Sequence, residues 1–312
     1  MRGAFVRTLS ELARADHRVV LLTGDLGFTV VEPFADEFPD RFFNVGVAEQ
    51  NMVGLATGLA EAGFLPFCYS IATFAVLRPY EFIRNGPIAQ QLPVRIVGVG
   101  GGFEYGSAGF THYGLEDLGV LRMQPGITVV APADAGQAAA ALRATFDLPG
   151  PVYFRIGKDE KSVVAGLEAR FRLGRAELVR SGRDVAVISV GAATVEAAAA
   201  VSELESAGVD AALSVVSTLN PAPVEDLLDL LEEVPAAVTV EGHYVTGGLG
   251  SLVAEVIAEH RVDCRLVRCG VRQLPHGTTG STAFMQERHG LTAGAIASAA
   301  QEATRKALSP ST

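Results

Sequence analysis

The stretch Arg41-Phe-Phe-Asn-Val-Gly-Val-Ala-Glu49-Gln-Asn-Met52-Val-Gly-Leu-Ala-Thr-Gly58 places one carboxylate among apolar and glycine neighbours. Its opening reads as a short strand over 42–45 and its remainder as a helix over 48–61, so Glu49 falls where strand becomes helix. Unpaired amides and the helix dipole favour an acidic side chain there, and capping alone accounts for it. A lone carboxylate in such apolar company also has a second reading, as a buried group that shares a proton with a ligand.

Around this stretch, elements of two periods alternate. A helix is expected over 4–15, a buried strand over 18–25 that ends in a polar turn, strands at 65–69, 94–99, 127–131 and 152–155, and helices at 79–91 and 134–146, the latter with an acidic cap. Strands separated by helices of this length predict a parallel sheet covered on both faces. Residues 157–183 are charged and weakly periodic, as a connector would be. A second series then follows, with strands at 184–190, 210–216, 236–241 and 264–269 and helices at 193–206, 224–233 and 249–259. The alanine-rich 193–206 is too short for sustained heptads and reads as a sheet-packed helix. The expected fold class is α/β with two doubly wound domains: 1–157, a linker at 158–183, and 184–308. The tail after Lys306 is expected to fray.

With 312 residues, 49% of them hydrophobic and 19% charged, the chain can fill two cores and bury surface against partners. A net charge of -10 without a basic stripe argues against nucleic acid and anionic membranes. Cys68, Cys264 and Cys269 form no CxxC pair and read as core thiols in a reducing compartment. No segment approaches the ~20 apolar residues of a membrane span. The mixed-charge N-terminus has no signal-peptide character. A cytoplasmic protein is the expectation, with no metal ligand set of its own; His243 and His276 are read as turn residues.

The 41–58 string resembles the segment that thiamine-diphosphate enzymes of the transketolase family present to the cofactor's aminopyrimidine ring. The resemblance implies that Glu49 hydrogen-bonds the ring nitrogen opposite the amino group, so that the amino group becomes an imine able to remove the thiazolium proton. Phe74, in Ser70-Ile-Ala-Thr-Phe-Ala-Val-Leu77, matches the family phenylalanine that stacks on the pyrimidine, although a core aromatic after a strand is the ordinary reading of such a residue. Ile71 and Leu77 stand where transketolases usually have two more aromatics, which implies an aliphatic wall around the cofactor. Arg78 continues the resemblance without an obvious duty. Asp25 and Thr29 match a loop near the thiazolium and the substrate. Arg7 and Arg155 match positions that grip substrate phosphate, a task suited to planar guanidinium, while surface ion pairing is the bland reading of each. His112, in Gly106-Ser-Ala-Gly-Phe-Thr-His112, matches a substrate contact or proton shuttle.

The resemblance covers the last two of the family's three domains. The first, which holds the diphosphate and Mg²⁺ on a Gly-Asp-Gly motif, has no counterpart here; Gly24-Asp25-Leu26-Gly27 is the nearest approach, and Gly98-Val-Gly-Gly-Gly102 has Phe103 where a dinucleotide fingerprint needs its third glycine. The implied assembly is therefore an α2β2 pairing with a separate N-terminal subunit that supplies the Mg²⁺ ligands. The implied reaction transfers a two-carbon ketol unit from a ketose or ketose phosphate to an acceptor. Gly100, Ser107 and Ala108 depart from the family's histidine and Glu-Asp pair, which leaves acceptor recognition open and keeps a carrier-bound acceptor in view. Val240 to Ser251 resembles a turn of the family's C-terminal domain and is read as architecture and subunit packing. Two other readings stand beside this one. The first is the β subunit of a 2-oxo acid dehydrogenase decarboxylating component, which shares the Ala-Glu-Gln segment. The second is a non-catalytic partner of a thiamine enzyme.

Overall fold

Uninterrupted apolar runs such as Val19–Thr23 and Leu65–Ile71 can be satisfied only in strands covered on both faces, and that is where they lie. The computed structural model describes residues 1–308. Its strands are β1 (Val19–Thr23), β2 (Phe42–Asn44), β3 (Leu65–Ile71), β4 (Arg95–Val99), β5 (Thr128–Val130), β6 (Val152–Ile156), β7 (Ala176–Arg180), β8 (Val185–Ser189), β9 (Ala211–Val216), β10 (Thr218–Asn220), β11 (Ala236–Tyr244) and β12 (Arg265–Val271). Among the described residues these form a seven-stranded sheet, ordered β10-β5-β6-β4-β3-β1-β2, and a five-stranded sheet, ordered β12-β11-β8-β9-β7. Both are parallel except at one edge, where β10 runs against β5 and β7 against β9.

The helices are α1 (Arg2–Ala15), α2 (Glu32–Glu37), α3 (Glu49–Glu61), α4 (Ala72–Val76), α5 (Tyr80–Ile83), α6 (Asp117–Arg122), α7 (Ala135–Thr145), α8 (Thr194–Ser206), α9 (Val224–Glu232), α10 (Leu249–His260), α11 (Thr282–Arg288) and α12 (Ala293–Leu308). One face of the first sheet packs with α1 and α7 through Phe5, Leu9, Phe67, Leu142 and Phe154. Burying each such side chain is worth about 1.5–3 kcal/mol. The opposite face joins a core that runs on into the second sheet, from Met52 and Ile96 through Leu118 and Leu219 to Leu249. The expected acidic cap is Asp134, which accepts the Gln137 amide at 2.9 Å. Arg95, fully buried on β4, donates to the Phe146, Leu148 and Gly150 carbonyls and so fastens the end of α7.

Several elements differ from the sequence reading. The connector ends in β7, which pairs with β9. β10 reaches back to the first sheet, with the Ala131 amide donating to Ser217 O at 2.8 Å. The helix expected over 79–91 is α5 followed by a π-type turn, because Pro87 has no N–H to continue the ladder. The alanine-rich α12 packs Ile296, Ala300 and Ala303 against the second sheet and runs to Leu308, past the point where fraying was expected; residues 309–312 lie outside those described.

Candidate active site

Parallel sheets bind ligands beyond the C-terminal ends of their strands, where successive connections leave in opposite directions. In the first sheet this point lies at β1, since β2 adds on one side of it and β3 on the other. Gly46, at φ +75°, turns the chain between β2 and α3, and Glu49 opens the helix with only 2% of its surface exposed. Its carboxylate is held at both oxygens: Ser70 Oγ donates to Oε1 at 2.9 Å and Arg78 Nη1 to Oε2 at 2.8 Å. Gly24 ends β1 against this group, and a Cβ there would lie 3.2 Å from Oε1.

Arg78 has a second contact. Its guanidinium carbon stands 3.9 Å from the centroid of the Phe74 ring, on α4. One guanidinium thus donates to Glu49 and stands over the ring of Phe74. A carboxyl that can share a proton with a ring nitrogen, beside an aromatic ring, fits the aminopyrimidine of thiamine. His112 also meets Phe74, edge to face, with ring centroids 5.0 Å apart, and its Nδ1 is 2.9 Å from Thr111 Oγ1. Asp25, at φ +57°, borders the group and is paired with Asn44: Nδ2 donates to Asp25 Oδ1 at 2.9 Å, and the Asp25 amide donates to Asn44 Oδ1 at 3.1 Å. Ile71 is buried at the end of β3, whereas Leu77 is 40% exposed.

Arg7 and Thr29 lie apart from that cluster and line a cleft together with Arg2 and Glu160. Arg155, whose position was expected to grip substrate phosphate, is 7% exposed and engaged within the chain. Nε pairs with Asp117 at 3.1 Å, and Nη2 donates to Gly114 O and, at 2.9 Å, to Gly242 O. Asp117 is buried and also accepts Tyr153 Oη at 2.6 Å; it needs a counter-charge, and Arg155 supplies it. Sequence reasoning passed over Arg2, which sits in a mixed-charge helix start with nothing to mark it. Arg2 Nε is buried without a hydrogen-bond partner among the described residues, as is Tyr69 Oη, and the charge of Arg2 acts on Tyr69, Tyr105 and Lys158.

The family profile for the pyrimidine-binding domain of transketolase matches residues 1–162, and that for the transketolase C-terminal domain matches residues 174–296. The chain belongs to the transketolase family. A protein of Methanocaldococcus jannaschii named as a putative transketolase C-terminal section is 35% identical over 309 residues, covering 98% of this chain and 96% of that one. A 6-deoxy-6-sulfo-D-fructose transketolase subunit of Clostridium sp. is 36% identical, with 98% and 95% covered. A subunit of the apulose-4-phosphate transketolase of Phocaeicola vulgatus is 36% identical, with 89% and 90% covered. Among solved structures, a split-gene transketolase described as an inactive β4 tetramer superposes with a TM-score of 0.89 at 35% identity, covering 97% and 98% of the two chains. Among the described residues this transketolase-family chain has no cluster of three metal-ligating side chains and no helix long and apolar enough to cross a membrane.

Proposed function

We propose that this chain is the subunit of a two-subunit, thiamine-diphosphate-dependent transketolase that contributes the pyrimidine-binding and C-terminal domains, divided as 1–157, a connector at 158–183, and 184–308. The partner subunit supplies the diphosphate site and the Mg²⁺ ligands in an α2β2 cytoplasmic assembly. When bound, thiamine diphosphate supplies the nucleophilic carbon that carries a two-carbon ketol unit from donor to acceptor. This chain's residues hold and orient. Glu49 keeps a proton at the ring nitrogen opposite the amino group, and Phe74 offers its face to the pyrimidine while Ile71 and Leu77 wall it. Arg78 yields its place on Phe74. Asp25 stays beside the mouth on its Asn44 pair. His112 holds a proton at a substrate hydroxyl oxygen.

The cleft of Arg2, Arg7 and Thr29 suits an anionic sugar terminus, and Arg2, with an unpartnered Nε, joins Arg7 and Arg155 in that role. Two relatives are named for sugars with such termini, one sulfonated and one phosphorylated. The observation that carries the reading is the buried Glu49 carboxylate beside Phe74, joined by a planar donor. In the reconstituted complex with cofactor and Mg²⁺, Glu49→Gln should reduce ketol transfer by ~10²–10⁴-fold with the fold intact. Turnover equal to wild type would exclude Glu49 from the chemistry and return the chain to the reading of a non-catalytic partner.

A further inference from the structure

Gly100 ends β4 at φ +75°, and a Cβ there would lie 2.2 Å from Cε2 of Tyr105. The Tyr105 ring therefore covers the position from which a side chain at residue 100 would project, and the two positions work as an exchange: a glycine at 100 seats an aromatic from five residues on. That ring stands 6.3 Å from the His112 imidazole, tilted by 48°. On its face, 4.0 Å from the centroid, lies Lys158 Nζ, which also donates to Glu104 O at 3.1 Å. The Lys158 amide donates to Glu104 Oε1 at 2.7 Å, fixing the root of the side chain. The Tyr105 hydroxyl has no hydrogen-bond partner among the described residues and so keeps its donor free. A row of contacts results, from Glu49 through Arg78, Phe74 and His112 to Tyr105 and Lys158. The heterocycle seat is at one end and a phenol with an ammonium at the other.

We propose that Tyr105 and Lys158 are specificity-determining residues that read the terminus of the sugar remote from its reacting carbonyl, Lys158 by charge and Tyr105 by a hydrogen bond from its hydroxyl, with Gly100 required to seat the ring. This deepens the ketol-transfer reading and rests on it. The terminus they fit is a tetrahedral oxyanion, phosphate or sulfonate, because the ammonium lies over the ring of a phenol whose hydroxyl can donate, with the charge of Arg2 acting on both. Burial and then Arg2 favour deprotonation of Lys158 while Glu104 opposes them, and an incoming anion adds to the stabilisation of the ammonium.

The test uses the reconstituted complex and three matched aldose acceptors, ending in phosphate, sulfonate or a plain hydroxyl. Lys158→Met should lower kcat/KM for both anionic acceptors by ~10–100-fold, as loss of a charge-assisted hydrogen bond does, and far less for the neutral one. Tyr105→Phe keeps the ring and should lower the anionic acceptors by about 10-fold; Gly100→Ala, which displaces the ring, should reproduce that loss. The phosphate and sulfonate arms identify the natural terminus by whichever shows the larger drop. Calorimetric titration of inorganic phosphate and of methanesulfonate onto the complex gives a readout independent of turnover, and Lys158→Met should weaken the measured affinity by ~10–100-fold. Equal losses on all three acceptors, or none, in an active wild-type complex would overturn this assignment alone. A wild-type complex that transfers no ketol unit would remove the underlying reading as well.

Discussion

Glu49 and Arg78 hold each other, and the energetics of that pair follow from an asymmetry in exposure. The Glu49 side chain is 1% exposed and that of Arg78 42%. Removing a partner from a fully buried pair costs about 3–5 kcal/mol, but here water can reach the site that Arg78 leaves. Arg78→Ala should therefore destabilise by roughly 1–2 kcal/mol in denaturant unfolding. Combined with Glu49→Gln it should cost less than the sum of the two changes, by about 0.5–1 kcal/mol, because one defect then excuses the other. Strict additivity would mean that the contact carries no energy. The carboxylate itself was legible from sequence because it stood alone among apolar residues. Ser70 and Arg78, which meet it, lie 21 and 29 residues further along the chain. No local period could single out which hydroxyl and which guanidinium would face it.

At the scale of elements, the contact of β6 and α6 with β11 rests on Arg155, Asp117 and His243. Arg155→Ala leaves the Asp117 carboxylate buried with only Tyr153 beside it, and should lower unfolding free energy by about 3–5 kcal/mol rather than merely raise a Michaelis constant. His243 is buried as the neutral ring: Nδ1 donates to Tyr244 O at 2.7 Å, and Nε2 accepts the Gly119 amide of α6 at 3.1 Å. Burial holds its pKa below the ordinary value, against Asp117 and with Arg155, while Glu241 lies 3.8 Å away. With the folded pKa depressed, the unfolded chain takes the proton first. The stability due to His243 is complete above the unfolded value of ~6.5 and is lost as pH falls through the lower folded value. Glu241 has the opposite sign. Burial raises its carboxyl to about 7 despite the Leu249 and Gly250 amides at 2.8 Å, so its contribution is whole below the unfolded value near 4.5 and is lost as pH rises toward 7. Urea unfolding between pH 5 and 8 should show His243→Gln losing the acid-side decline and Glu241→Gln the decline on the other side. Unchanged slopes in both variants would contradict these assignments.

On the scale of the whole molecule, large apolar side chains remain uncovered around the site. Phe28 is 72% exposed, Val47 69% and Phe110 45%, each within a few residues of Asp25, Glu49 or His112. An apolar rim of this kind marks an interface. The purified chain should self-associate at micromolar concentration, and Val47→Asp should shift sedimentation toward smaller species while weakening capture of the partner subunit. A chain that stays monomeric with the rim intact would argue that the surface faces solvent. The similar split-gene transketolase is itself described as an inactive β4 tetramer.

The α/β class was legible because runs such as Val19–Thr23 can pay their desolvation only inside a sheet, and because the helical period between them is unambiguous. The strand-to-helix placement of Glu49, the cap at Asp134 and the order of strands and helices around them follow from local chemistry that a sequence carries in full. The tertiary structure decided what depends on distant residues meeting. It returned β10 to the first sheet, joined the two cores, and set Arg155 against Asp117. It also brought Tyr105 over Gly100. Each of these rests on a buried charge or a cavity being satisfied by whatever the fold delivers to it, a condition that exists only once the chain has closed on itself.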